Sequence, residues 1–240
     1  LSNAHPMAPS FDTAGWFTND AKLFRDIGPV LLDGNTTAGT PERMLVLTDA
    51  FDRATPDVKQ ALESVLAAAA DVLPTGEPVA VAGEDTLDVW WDAFRVIQAS
   101  EVKQTNVPWV EEHQPNLGPG IRDRFAMAAA ITAEETEAAN AVRDRVRKRV
   151  LALAAPGTIL CLPSAPVIAP PLDAGAEDLE FFRSNTMALT CISGHTGLPQ
   201  IAIPAANVNG CPIGLSFIGW PGGDEALLEL AVALQSFCIR

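Results

Sequence analysis

Ser193 and His195 are two chemistry-bearing residues that stand close together in this sequence. An activated serine needs a general base within hydrogen-bond reach and donors for the developing oxyanion. A spacing of two residues seldom places a hydroxyl beside an imidazole, and the sequence has no Gly-x-Ser-x-Gly elbow. The pattern therefore favours a structural role in a loop for His195 over the role of a catalytic base.

The remaining histidines and the cysteines give no sign of a metal site. Three histidines occur far apart, and none has the spacing of a zinc or iron ligand set. The cysteines also lie far from one another, without a Cys-x-x-Cys pair: Cys161, Cys191, Cys211 and Cys238. We therefore expect no metal and no cofactor, and we interpret the cysteines as buried free thiols of a cytoplasmic protein.

Two glycine-bearing segments and one basic cluster could in principle bind anions. The segment 34–39 lacks the lysine and hydroxyl residue of a phosphate-binding loop. The segment 219–224 precedes a helix, but Asp224 is expected to cap that helix, so a tight turn is the favoured interpretation. A solvated helix face is favoured for the basic cluster: Arg143, Arg145, Arg147, Lys148 and Arg149. From residue chemistry alone, no catalytic centre emerges.

Composition narrows the class of protein. The chain has 240 residues, of which 48% are hydrophobic, and its formal net charge is −14. This hydrophobic content excludes a disordered chain, and the acidic charge argues against a nucleic-acid partner. No stretch approaches the roughly 18 apolar residues of a membrane helix, so no membrane partner is expected. The length is that of one large domain or two small ones.

Helices and short buried strands alternate along the chain, which indicates α/β layering. The clearest helix, 133–154, opens on a Thr132–Glu135 capping box. We expect the strands at 158–162, 200–204 and 213–218 to lie in one sheet with that helix packed on it. Further strands are predicted at 44–47 and 78–81, and further helices at 19–32, 55–72, 87–102, 179–192 and 225–237. The segment 108–120 is predicted to be a break rich in proline and glycine.

Several blocks of the sequence together resemble the amidase-signature family of hydrolases, most of all its bacterial amidases and its plant indole-acetamide hydrolase branch. They occur in the order of the family's landmarks and cover nearly the whole chain. The blocks are Met7–Phe17 with Asn19-Asp20, Arg124-Phe125, the Thr132 helix, Ile159–Pro163, Gly197–Pro204, Pro212–Gly219, and Asp224 with Leu227-Leu228.

The resemblance implies a mixed sheet flanked by helices and the hydrolysis of a carboxamide by a Ser–cis-Ser–Lys triad. The family's nucleophile loop and both triad partners precede the point that matches Leu1, and the chain begins without Met. No Gly-Gly-Ser-Ser run occurs, and no lysine matches the triad lysine. The resemblance therefore predicts that residues 1–240 form the C-terminal half of an amidase domain, with no catalytic residue of its own.

The same resemblance places four residues near the substrate: Trp16, Arg124, Thr190 and His195. A core aromatic, a structural ion pair and loop structure are the alternatives for Trp16, Arg124 and His195. Many family members carry Asn where this chain has Gly194. The expected partners are a small-molecule amide and the missing N-terminal half, with a homo-oligomer as a further option. The alternative function is a non-catalytic binding or scaffold module.

Overall fold

The computed structural model describes residues 4–32 and 39–238. The segment 34–39, interpreted above as lacking a phosphate-binding loop, lies almost entirely outside the described residues. The helices of the described part are α1 (Ala21–Leu31), α2 (Thr48–Phe51), α3 (Pro56–Ala68), α4 (Leu87–Thr105), α5 (Val107–His113), α6 (Pro119–Ala130), α7 (Ala133–Leu153), α8 (Ala176–Thr196) and α9 (Asp224–Ala233). The strands are β1 (Arg43–Leu47), β2 (Gly76–Val79), β3 (Thr158–Pro163), β4 (Gln200–Val208) and β5 (Cys211–Ile218).

The five strands form one mixed sheet in the order β2-β1-β3-β5-β4. β1 is parallel to both β2 and β3, whereas β5 is antiparallel to β3 and β4. Asn209 and Gly210, both with positive φ (50° and 80°), make the two-residue turn between β4 and β5. The predicted fold class, an α/β fold with helices flanking a mixed sheet, is confirmed.

Two apolar clusters cover the two faces of the sheet. On one face, Ile159 and Phe217 pack with α3 and α9 residues such as Leu62 and Leu227. On the other, Leu160 packs with α4, α7 and α8 residues. The expected packing of the helix after Thr132 on the sheet is confirmed, because Val146 and Val150 of α7 belong to this second cluster.

Local signals explain where several helices begin. The Thr132–Glu135 capping box forms as predicted, with both reciprocal hydrogen bonds present. The first helix, predicted over 19–32, is capped by Asp20, whose carboxylate accepts from the Leu23 N–H. A carboxylate at this position also favours the positive end of the helix dipole.

Three predicted boundaries were wrong. Within the supposed break at 108–120, Pro108 stands near the N-terminus of the short helix α5, where proline is tolerated. The helix predicted to end at Val72 ends at Ala68. Helix α8 continues to Thr196, past the predicted end at 192, so His195 lies in a helix and not in a loop; Gly197, with φ of 71°, ends it in the left-handed conformation.

Two further predictions can be compared with the described residues. Cys161 and Cys191 are buried, Cys211 and Cys238 are half-buried, and all four are free thiols. Burial raises the pKa of Cys191 to about 12. No helix in the described part of the chain combines the length and apolar character that a bilayer crossing needs.

Candidate active-site face

The sheet has one face that its helices leave partly uncovered. Ser216 of β5 stands opposite Leu162 of β3 and Ala202 of β4, and directly paired residues share a face of the sheet. Because Leu162 belongs to the cluster under α4, α7 and α8, this face points to the α8 side. Its members are small, and we call them the open sheet face: Ser164, Ala202, Pro204, Gly214 and Ser216.

Two hydroxyls meet on the open sheet face where β3 ends. Ser164 follows β3 directly, its N–H donates to the Gly214 carbonyl at 2.9 Å, and its Oγ lies 2.8 Å from Ser216 Oγ. A Cβ added to Gly214 would lie 2.6 Å from Ser164 Oγ, so the glycine makes room for the serine pair. Carboxyl ends of parallel strands are a common location of ligand sites in α/β proteins.

The side chain of Ser193 points towards β4 rather than towards His195. Ser193 Oγ lies 2.6 Å from Gln200 Oε1 and 3.1 Å from the Thr190 carbonyl oxygen, so its hydrogen is directed at carbonyl acceptors. The His195 ring instead bonds to the Trp90 carbonyl on α4. The two residues therefore form no nucleophile–base pair, in agreement with the interpretation of their spacing.

His195 is fully buried beneath α4. Its Nε2 lies 2.8 Å from the Trp90 carbonyl oxygen, which requires a hydrogen on Nε2 and leaves Nδ1 as an acceptor. Nδ1 has no hydrogen-bond partner among the described residues. The pKa of His195 is lowered to about 4, chiefly by desolvation and also by the nearby Arg143 charge, while the bond to the Trp90 carbonyl opposes the shift. A neutral, enclosed imidazole of this kind fixes the end of α8 against α4.

The N-terminal segment closes over this histidine. Phe94 and Phe11 pack edge-on against the His195 ring, with centroids 5.7 and 6.3 Å away. The Arg143 guanidinium lies 4.5 Å from the centre of the Phe11 ring and donates to Ser10 Oγ at 2.7 Å. It also lies 3.3 Å from the His195 carbonyl oxygen. Arg143 therefore joins the segment around Ser10 to the end of α8.

The other pocket candidates lie in separate places. Trp16 is half-buried beside α1, where its Nε1 donates to the Phe24 carbonyl at 3.1 Å and its ring lies 5.1 Å from that of Phe24. Arg124 is exposed on α6. Thr190 is half-buried on α8, with its hydroxyl 3.1 Å from the Thr186 carbonyl oxygen. Only Thr190 and His195 share an element, and the pocket role of all four stays a prediction.

The basic residues of α7 do more than form a solvated face. Arg149 donates to the carbonyls of Val81 and Ala80, at 2.6 and 2.8 Å, and so holds the loop after β2. Arg143 has the role described above, whereas the remaining members of the cluster are exposed. The prediction of a uniformly solvated face was therefore wrong for these two arginines, because carbonyl groups of neighbouring loops lie within reach of α7.

The glycine-rich segment before the last helix is a tight turn, as predicted. Gly222 has φ of 78°, and the Gly223 N–H donates to the Trp220 carbonyl at 2.8 Å. Asp224, expected to be the cap, is instead the first residue of α9, and Gly223 holds the cap position without a side-chain bond. The acidic residue still lies at the positive end of the helix dipole.

Residue chemistry alone had not singled out Ser164, Ser216 and Gln200. Their hydroxyl and amide groups become a set only when β3, β4, β5 and α8 assemble. Ser164 and Gln200 are half-buried and so partly accessible, whereas Ser216 is fully buried and bonds to Ser164 from beneath. No cluster of three or more potential metal ligands occurs in residues 4–32 and 39–238.

Comparison with known proteins decides the family. The model of the family described as Amidase matches residues 39–228. The chain belongs to the amidase family. This confirms the family predicted from the order of sequence landmarks, and it places the open sheet face within an amidase fold.

Curated relatives are considerably longer than this chain. Amidase 1 of Oryza sativa subsp. japonica is 28% identical over 264 residues, covering 99% of this chain and 61% of the relative. Outer envelope protein 64, chloroplastic, of Arabidopsis thaliana is 26% identical over 249 residues, covering 93% of this chain and 42% of the relative. The chain thus spans about half the length of the curated relatives that it matches.

Solved structures share the fold. One reported as "Crystal structure of amidase" has a TM-score of 0.82 at 23% identity, covering 96% of this chain and 54% of that chain. A bacterial aryl acylamidase of the amidase-signature enzymes has a TM-score of 0.66 at 15% identity, covering 82% of this chain and 44% of that chain. At these identities the likeness establishes the fold alone.

Proposed function

We propose that this chain is the scaffold and one pocket wall of an amide hydrolase whose complete domain cleaves a carboxamide by acyl transfer. The observation that supports this most strongly is the Amidase family match across residues 39–228. The half-buried Ser164 and Gln200 beside the open sheet face agree with it, because a pocket wall needs some accessible polar groups on a rigid element.

The chemistry assigns the chain a supporting part in the reaction. Acyl transfer requires a nucleophile, a base that activates it and donors for the oxyanion, all acting together. The hydroxyls of Ser164 and Ser216 bond to each other, and Ser193 Oγ bonds to carbonyl oxygens, so none is paired with a base. In the proposal, the Ser–cis-Ser–Lys triad belongs to an N-terminal half that precedes Leu1 in the complete protein.

The pocket wall in this proposal is the open sheet face together with the adjoining turn of α8. Thr190 and Ser193 line the edge of α8 nearest to Gln200. His195 serves as a positioning residue, since its buried ring holds the end of α8 against α4. The small-molecule amide would contact the wall through hydroxyl and amide groups, while its reacting carbonyl faces the nucleophile of the other half.

The test is hydrolysis of a substrate panel by the full-length protein. Aryl-acetamides and short aliphatic amides should separate the substrate classes, and alanine in place of the upstream nucleophilic serine should abolish turnover. Ser164→Ala and Ser193→Ala are the matched controls, because they remove hydroxyls from the wall but leave the proposed nucleophile intact. Turnover that persists without the upstream serine but disappears in Ser193→Ala would reject the proposal.

A second candidate is a non-catalytic scaffold module. It is favoured by relatives whose names carry no enzyme activity, including Translocon at the outer membrane of chloroplasts 64 of Pisum sativum, which is 23% identical over 250 residues. The coding sequence upstream of Leu1 separates the two candidates. A Gly/Ser-rich loop, preceded by a lysine some tens of residues earlier, supports the hydrolase, and their absence supports the scaffold.

A further inference from the structure

The segment 5–12, which we call the strap, is tied to α4 although it contains no helix or strand. It folds into a turn of its own, because the two oxygens of the Asp12 carboxylate accept backbone N–H groups, from Met7 at 2.9 Å and from Ala8 at 3.2 Å. Near the end of α4, the Thr105 hydroxyl donates to the Met7 carbonyl at 2.8 Å. The strap therefore has a defined shape and a defined position on α4.

Ser10 of the strap is held between two opposite charges. Its N–H donates to the Glu101 carboxylate of α4 at 2.9 Å, and its hydroxyl donates to the other oxygen of that carboxylate. From α7, the Arg143 guanidinium donates to Ser10 Oγ at 2.7 Å and to the Ser10 carbonyl oxygen at 3.2 Å. Every polar group of this serine thus bonds to a charged side chain, and such bonds are stronger than those between neutral groups.

The same guanidinium reaches the end of α8. Its Nε donates to the His195 carbonyl oxygen at 3.3 Å, and its central carbon lies 4.5 Å from the centre of the Phe11 ring in the strap. Phe11 in turn packs on Phe94 of α4, with ring centroids 4.2 Å apart. Desolvation is the main cause that lowers the pKa of Arg143, so its bonds form where water screens them less. One side chain of α7 therefore connects the strap to α8.

From these contacts we infer that Arg143 is a positioning residue for amide hydrolysis, which fixes the distance between the segment that follows the nucleophile and the pocket wall. The inference rests on the proposed function, in which the nucleophile precedes Leu1 and α8 carries Thr190 and Ser193 of the wall. The strap is the part of the described chain that such a nucleophile would precede. Because Arg143 bonds to both the strap and α8, it sets their separation. A displacement of about 1 Å at a catalytic group can lower a rate about 100-fold.

A second arginine of α7 offers a matched comparison. Arg149 is also half-buried and also donates to backbone carbonyls, those of Val81 and Ala80, at 2.6 and 2.8 Å. These carbonyls lie in the loop after β2, which belongs to neither the strap nor the pocket wall. Both arginines should therefore stabilise the fold, but only Arg143 should influence the reaction.

Steady-state kinetics of the full-length protein with an aryl-acetamide test the inference. Arg143→Met keeps the aliphatic part of the side chain and removes its donors. It should lower kcat and kcat/KM equally, by about 100-fold, because the nucleophile and not the bound substrate is displaced. Rates are expressed per active site, counted by complete labelling with a fluorophosphonate, so that a loss of folded protein does not lower them. The control, Arg149→Met, should lower the free energy of unfolding but leave kcat per site unchanged.

Ser10→Ala tests the strap at an exposed position, where the substitution leaves the fold intact even if Arg143→Met does not fold. It removes the hydroxyl that both charges bind and should lower kcat about 10-fold. Combined with Arg143→Met it should add little, because both changes act on one contact. Arg143→Lys keeps the charge but loses the two-pronged geometry, and it should recover only part of kcat.

Each other outcome is decisive. In a full-length protein that hydrolyses amides, unchanged kcat in both Arg143→Met and Ser10→Ala overturns the positioning role and keeps the proposed function. An equal loss of kcat in Arg149→Met also overturns it, because general loosening of the helices would then explain the effect. A raised KM at unchanged kcat would place Arg143 in substrate binding instead. No amide turnover by the unmodified full-length protein rejects the proposed function and the positioning role together.

Discussion

The two ends of the sheet are built differently. At the β2 end, the outer strand has four residues, includes Pro78, and carries Glu77 in a two-bond ion pair with Arg43 (2.9 and 2.5 Å). At the β4 end, the outer strand has nine residues and no charge, although it contains Pro204 and a bulge before Ala206. Short length, proline and charge are the means by which proteins protect a sheet edge from further pairing.

The difference shows that this fold distributes its helices unequally along the sheet. β1, next to β2, and the central β3 are covered by helices on both faces, since Met44 and Ile159 face α3 while Leu45 and Leu160 face α4. The β4 end is covered on one face only, since Ala202 on the other face is exposed. The sheet therefore has helices on both faces at its centre and on one face at β4.

The largest expected effect concerns amide turnover by the chain that carries the open sheet face. If the catalytic triad lies outside residues 1–240, as we propose, the 240-residue chain should hydrolyse no amide above background and should take no label from a fluorophosphonate probe. Losing such a unit lowers kcat by about 10⁶-fold in a serine hydrolase. Steady-state assays of the chain alone and of the full-length protein measure the difference.

The hydroxyls of the chain itself provide the control for that experiment. Any residual turnover should be the same in Ser164→Ala and Ser193→Ala, because neither hydroxyl is paired with a base. The contrary result is an isolated chain that is active and loses that activity in Ser193→Ala with its fold intact. That result would mean that residues 1–240 already hold a complete site.

The next effect concerns the helix layer of α4, α7 and α8, and it is a dependence of the unfolding free energy on pH. The pKa of His195 is lowered from 6.5 to about 4 by burial. Below pH 6.5 the unfolded chain therefore binds a proton at this histidine that the folded chain does not bind until the pH nears 4. Stability should therefore fall as the pH drops from about 6.5 towards 4, by roughly 3 kcal/mol over the whole window, and should not change through this group above it. Urea unfolding at a series of pH values measures this.

His195→Gln is the matched variant for the pH experiment. The glutamine amide can still donate to the Trp90 carbonyl but does not titrate. Its unfolding free energy should be flatter between pH 6.5 and 5 than that of the unmodified chain. An identical slope in both proteins would mean that carboxylates cause the pH dependence and that protonation of His195 does not affect stability.

A smaller effect is expected where α8 crosses α4. A Cβ at Gly194 would lie 2.6 Å from Cε2 of Phe94, so an asparagine side chain at this position has no room beside this phenylalanine. Gly194→Asn should lower the free energy of unfolding by about 1–3 kcal/mol. Adding Phe94→Leu should recover part of the loss, and Gly120→Asn, at a helical glycine with no neighbour within 4 Å, is the control. Equal losses at both glycines would attribute the cost to helix propensity instead.

The elements were largely predictable because each depends on a local pattern. The Thr132–Glu135 box and the apolar run of β3 gave their helix and strand correctly. The extent of α8 was not predictable, because its last turn is held by the His195 bond to Trp90, more than a hundred residues away in sequence.

The candidate site was less predictable than the fold. The open sheet face combines Ser164, between closely spaced prolines, with Ser216 and Gln200 from other strands. Each alone is an ordinary polar residue, and only the register of β3, β5 and β4 brings them onto one surface.

The smallest effect is expected at the protected end. The ion pair with Arg43 lowers the pKa of Glu77, so its stabilisation is fully present above the ordinary carboxyl pKa of 4.5 and is lost as the pH falls below that value and through the lowered pKa. Both side chains are about half exposed, and exposed pairs contribute little because solvent and salt screen them. Arg43→Ala should therefore shift the urea midpoint only slightly at pH 7, and the shift should shrink further in high salt. Glu77→Gln, which leaves β2 without a charge, should not cause dimerisation, because four residues with one proline offer few backbone bonds. Sedimentation of Glu77→Gln as a dimer would show that charge, rather than length, distinguishes the two ends of the sheet.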